Sequence, residues 1–157
     1  MPEVFNTQRK IQIEVESIRK FADRIAKEIP EAAGKNFSIA FIPDQRMKQL
    51  NEMFRGINST TDVLSFPHWP DEFESKSDAF THSSTETPEG ITLTFLGDIV
   101  ISVEQAQKQA AENGLTLENE IRQLILHGLL HLCGYDHETD NGEMNVRELE
   151  LREKLGI

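Results

Sequence analysis

The 157-residue chain carries 27 acidic against 16 basic residues, a formal net charge of −11, with 38% hydrophobic and 27% charged residues. That length suits one domain with a sizeable core, the acidic balance counts against a non-specific nucleic-acid binder while leaving room for a localised basic cleft, and no apolar run is long enough to span a membrane. One cysteine excludes an internal disulfide framework, and Met1-Pro2-Glu3-Val4-Phe5-Asn6 has neither the basic head nor the apolar stretch of a secretory signal, so a cytoplasmic location is expected.

Ile11, Ile13 and Val15 alternate with polar residues and predict a short half-buried strand. From Ser17 the period changes to Ile18, Phe21, Ala22, Ile25, Ala26 and Ile29, an amphipathic helix stopped by Pro30. Phe37, Ile39 and Phe41 alternate as a second strand closed by Pro43. Asp44 then suits the N-cap of a short helix that turns Met47, Leu50 and Phe54 inward. Arg55 ends that helix before Gly56, either as a cation complementing the helix dipole or as a guanidinium placed to hold phosphate oxygens. Thr61 to Phe66 reads as a strand in which Asp62 and Ser65 orient a loop or satisfy local backbone groups.

Residues 67 to 91 change character, with Pro67, Pro70 and Pro88, many Ser and Thr, and six acids against Lys76 between 71 and 90, so a long acidic loop insertion is expected there. Its Trp69, His68 and His82 are loose candidates for contacts. Leu93 to Ile101 is the most hydrophobic strand and is expected at the centre of the sheet, with Gly97 marking a bulge or a close backbone approach. Ser102-Val103-Glu104-Gln105 is a capping box opening a helix that ends at Asn113-Gly114, and Thr116 caps the next helix. A last amphipathic helix carries Met144, Leu151 and Leu155. There is no internal repeat and no domain boundary.

The helix after Thr116 carries the chemistry. His127 and His131 are four apart, so on an α-helix they differ by about 40° in direction and about 6 Å along the axis, and both imidazoles reach one ion. His137 joins them only if the helix stops, and Gly134 falls where the stop is needed. Leu124-Ile125-Leu126 and Leu129-Leu130 make the helix apolar nearly all round, which marks it as buried. Three nitrogen ligands with a fourth position open is the pattern of a catalytic metal site; zinc suits it, as do nickel, copper and iron. The spacing repeats that of the metzincin peptidases, except that Gly128 stands where a peptidase carries its general-base Glu. Cys133 lies on roughly the opposite side of the helix from His131 and reads as a small core residue.

Phe54-Arg55-Gly56, Thr61-Asp62-Val63-Leu64-Ser65-Phe66-Pro67, Leu96-Gly97-Asp98-Ile99 and the stretch from His127 to His137, in that order, make the chain resemble the YbeY family of bacterial metal-dependent endoribonucleases needed for ribosomal RNA maturation. The resemblance runs from about residue 10 to the end. It implies an α+β fold, a single domain over 1–157 with a small mixed β-sheet packed by helices; the acidic insertion at 67–91 is this chain's departure from the family, longer than expected there. It also implies one Zn2+ on His127, His131 and His137, with Arg55 and His127 as catalytic residues. From the same resemblance come cleavage of single-stranded RNA, processing of the 3′ end of small-subunit ribosomal RNA, ribosome quality control, and partners in the small ribosomal subunit, one of its proteins and an assembly GTPase.

No glutamate stands beside His127, so the base is unassigned, with water activated at the metal first and Asp136 and Glu138 behind it. Two readings from other classes stand beside the ribonuclease: a non-enzymatic ribosome-assembly factor with structural zinc, and a zinc hydrolase of another substrate class, against whose peptidase form Gly128 speaks.

Overall fold

The computed structural model describes residues 2–68, 84–86 and 92–157. Its elements follow as β1 (Glu3–Asn6), α1 (Val15–Glu28), a 3-10 turn (Pro30–Ala32), β2 (Lys35–Ile42), α2 (Asp44–Arg55), β3 (Val63–Pro67), β4 (Ser84–Glu86), β5 (Thr92–Ser102), α3 (Val103–Asn113), α4 (Leu117–Leu132) and α5 (Glu143–Leu155). The stretch expected at the centre is there: β5 pairs in parallel with β2 on one edge and antiparallel with β3 and β4 on the other. With β1 parallel to β2, this makes a mixed five-stranded sheet of order β1-β2-β5-β3 with β4 beside β5. The fold is α+β.

Strand alternation sorts the core into two layers. Phe37, Ile39 and Phe41 of β2 and Ile99 and Ile101 of β5 are fully buried in the large core that α1, α4 and α5 complete. Ile42, Leu64 and Val100 turn to the opposite face, where Met47 of α2 closes a smaller cluster. The register between β2 and β5 slips where β2 advances from Asn36 to Ser38 and β5 from Phe95 to Asp98, which is the bulge foreseen at Gly97. Its φ of +139° and a backbone approach so close that a Cβ would collide with the Phe66 carbonyl both require glycine. No helix among the described residues is long and apolar enough to cross a membrane.

Four local expectations are corrected. The strand expected over Ile11, Ile13 and Val15 does not form. Gln8 accepts from the Ile11 amide at 3.0 Å and donates to its carbonyl at 2.7 Å, folding the segment into a turn, and the edge of β2 is already taken by β1. The three residues still pack on the core, so their alternation reports burial without pairing. Asp44 begins α2 but makes no capping bond; its carboxylate accepts from Ser102 Oγ at 2.8 Å and Gln105 Nε2 at 3.2 Å, tying α2 to the start of α3. Phe54 is 60% exposed and packs edge-on to Phe66 at 5.1 Å, because α2 lies on the small second layer. Pro67, expected to open the loop, is in β3, and Ser84–Glu86 within the expected loop form β4. Trp69, His82 and most of the acidic stretch lie outside the described residues.

Candidate functional site

α4 is built as its sequence suggests. Thr116 Oγ1 accepts the Asn119 amide at 3.1 Å at its start, and nearly every apolar side chain along it is buried. Gly128 faces the sheet at its tightest approach: a Cβ there would lie 2.8 Å from Ile99 Cγ2 and 3.2 Å from Ser65 Oγ. Ser65 Oγ also donates to the Gly128 carbonyl at 3.2 Å. A glutamate would have no space at this position, so the absence of a peptidase base follows from packing.

The helix stops where expected. Gly134, at φ +105°, donates to the His131 carbonyl at 3.0 Å, and the Tyr135 amide donates to that of Leu130 at 3.0 Å. The chain then turns through Asp136 to Asp140 and returns His137 to the helix end. The three rings stand 4.8 Å (His127 and His131), 5.1 Å (His131 and His137) and 5.5 Å (His127 and His137) apart between centroids. One nitrogen from each lies within 4.8 Å of the others.

Two of the imidazoles are fixed from behind. His131 Nδ1 is 3.1 Å from the Tyr135 carbonyl. A carbonyl only accepts, so the proton sits on Nδ1 and the Nε2 lone pair is free. Burial, reinforced by His127 and His137, holds the His131 imidazolium pKa below its ordinary value, which favours the neutral ring that ligates metals. His127 Nδ1 is 3.2 Å from Glu148 Oε1. Burial alone would raise the Glu148 carboxyl, but the hydrogen bond and charge of His127, with Arg152, outweigh it and the pKa falls below its ordinary value. An ionised Glu148 accepts from Nδ1–H and again leaves Nε2 free. Three neutral-capable nitrogens, two with carboxylate or carbonyl support, fit a divalent metal of the zinc type.

Glu148 is the residue that sequence reasoning missed. It is only 7% exposed and lies on the α5 stripe with Met144, Leu151 and Leu155. A carboxylate on an apolar helical stripe was a readable signal of a buried partner.

Arg55 reaches the same cleft of about 610 Å³ as the three histidines, across from Glu138, whose Oε1 is 3.6 Å from Arg55 Nη2. Their side chains are 45% and 65% exposed, so this pair is weak and leaves the guanidinium open to solvent. Of the other candidates, His68 and Cys133 do not line this cleft, whereas Asp62 and Asp136 do. His68 is held by its backbone, its amide donating to Leu96, and its ring sits edge-on to Phe95. Asp62 accepts from the Val63 amide, the local role foreseen as one alternative. Asp136 accepts the Glu138 amide. Burial pushes the Cys133 thiol up to about 11, an inert core group.

A family model described as endoribonuclease YbeY matches residues 3–156. This chain belongs to the YbeY endoribonuclease family. An endoribonuclease YbeY from Nautilia profundicola is 43% identical over 123 residues, covering 78% of this chain and 74% of that relative. One from Clostridioides difficile is 36% identical over 155 residues, covering 96% and 93%. The solution structure of a Thermotoga maritima protein superposes with a TM-score of 0.60 at 25% identity, over 99% of this chain and 90% of the other. Members of the YbeY family thus match the whole stretch on which the histidine cluster and Arg55 are placed.

Proposed function

We propose that this chain is a zinc-dependent endoribonuclease that cleaves single-stranded RNA, with His127, His131 and His137 as the metal ligands and Arg55 as the residue that engages the scissile phosphate. The observation that carries the reading is the convergence of three imidazole nitrogens within 4.8 Å in the cleft that also contains Arg55. Bound there, the ion would supply Lewis-acid polarisation of a phosphate oxygen.

The chain's own groups do the rest. Glu148 and the Tyr135 carbonyl hold protons on His127 Nδ1 and His131 Nδ1, so the ligating nitrogens do not rotate away. Arg55 leaves Glu138 for the non-bridging phosphate oxygens and spreads its donors over charge that grows in the pentacovalent transition state. The proposed substrate is the 3′ end of small-subunit ribosomal RNA in the cytoplasm, with the small subunit, one of its proteins and an assembly GTPase as partners. Membership of the YbeY family supports this substrate.

The test couples metal content to cleavage. Elemental analysis should find about one zinc per chain, lost in His131→Ala. Arg55→Ala should keep the metal but lower kcat on a single-stranded RNA by roughly 100-fold. Unchanged cleavage in Arg55→Ala would remove its assigned role, and no metal in wild type after zinc is offered would remove the metalloenzyme.

A further inference from the structure

Behind His127 lies a second concavity of about 500 Å³, entered between β3, the end of α3, α4 and α5. It shares Asp62, Val63 and His127 with the metal cleft, so a ligand spanning both would lie against the metal ligand. Besides His127, its polar lining is Asp62, Gln109, Asn113, Glu120, Gln123, Glu148 and Arg152. Three carboxylates against one guanidinium make it acidic, which repels phosphate and selects a neutral group rich in donors. Glu120 is 4% exposed, and its Oε2 is buried without a hydrogen-bond partner among the described residues, as is Arg152 Nε. Such a carboxylate calls for an external donor. Burial raises the Glu120 carboxyl pKa, a hydrogen bond from Asn113 opposes the rise, and nearby Asp62 adds to it.

We infer that this concavity is a base-recognition pocket for guanine, in which Glu120 accepts the N1–H and N2–H donors and a side-chain N–H of Asn113, Gln123 or Arg152 faces O6. Among the four RNA bases only guanine puts two adjacent donors on one edge. Adenine and cytosine set one amino group beside a ring acceptor that a carboxylate repels, and uracil flanks its single N–H with two carbonyls. A volume of about 500 Å³ accommodates a base. The shared wall at His127 sets that guanosine beside the scissile phosphate. This inference rests on the ribonuclease reading for its substrate, but the pocket can be tested without cleavage.

The metal-loaded full chain is titrated with guanosine 5′-monophosphate, inosine 5′-monophosphate and adenosine 5′-monophosphate and followed by NMR of backbone and side-chain amides. Inosine differs from guanosine only in lacking the N2 amino group. Guanosine monophosphate should bind roughly ten-fold or more tightly than inosine monophosphate, the loss expected when a buried charged acceptor forfeits one donor. Shifts should appear at Asn113, Glu120 and Gln123, and Glu120→Gln should erase the difference. Replacing one guanosine by inosine next to the cleaved bond of a single-stranded RNA should lower kcat/KM by a similar factor.

Equal affinity of the two nucleotides for the wild-type chain overturns the inference whether or not Glu120→Gln folds. Shifts confined to the histidines and Arg55, or a divalent cation that occupies Glu120 and excludes the nucleotide, also overturn it. Guanine preference without any RNA cleavage upholds the pocket and removes the ribonuclease reading instead.

Discussion

Replacing Glu148 by Gln isolates the support behind His127. The carboxylate is 7% exposed and accepts from both His127 Nδ1 and Arg152 Nη2 at 3.2 Å. The amide keeps the shape and can still accept one N–H through its oxygen, but the charge is gone. A charge-assisted hydrogen bond is about twice as strong as a neutral one, so the loss is on the order of 1 to 1.5 kcal/mol. Passed to the metal through the basicity and orientation of the ring, that amounts to roughly a ten-fold weaker zinc affinity. Glu148→Ala, which leaves Nδ1 without its partner and Arg152 without its carboxylate, should approach the 100-fold end of the range for lost support behind a ligand. Competition against a chromophoric chelator at fixed pH measures both, and thermal unfolding of the metal-free proteins separates loss of fold from loss of affinity. A Gln variant that binds zinc as tightly as wild type would refute the reasoning.

Gly128→Ala should destabilise by about 1 to 3 kcal/mol in chemical denaturation, because its Cβ would meet Ile99 at 2.8 Å in a filled core; an unchanged midpoint would mean the α4–sheet contact yields freely. Arg147 holds Glu31 bidentately at 2.7 and 2.8 Å, with Tyr135 donating a third bond, and the Arg147 hydrogen bond draws the Glu31 carboxyl from 4.5 down to about 2. A depressed carboxyl stabilises the fold above its unfolded value, so Glu31→Gln should cost about 1 kcal/mol near neutrality after discounting for solvent screening. That difference from wild type should shrink as pH falls from 4.5 through about 2, and a gap independent of pH would contradict it. Phe54→Ser, at an exposed ring, should change stability by no more than about 0.5 kcal/mol; a larger loss would show that its contact with Phe66 is part of the core.

Within the sequence alone, the parts of the site that depend on neighbouring residues were legible. Helical spacing put His127 and His131 on one face, Gly134 marked the stop that returns His137, and alternation marked β2, and a nearly continuous apolar run β5, as buried strands. These follow from backbone geometry, which acts over a few residues and repeats wherever the pattern occurs. Two of the failures share one cause. Ile11, Ile13 and Val15 have strand periodicity but no free sheet edge, and Phe54 has helical periodicity but faces the thin layer, so the availability of a partner overrode the local pattern. What tertiary structure alone decided is which distant side chains meet at α4. It brought Glu148 behind His127, Arg55 to the rim across from Glu138, and Ile99 so close to residue 128 that only glycine fits, because such contacts depend on how elements far apart in the chain pack together.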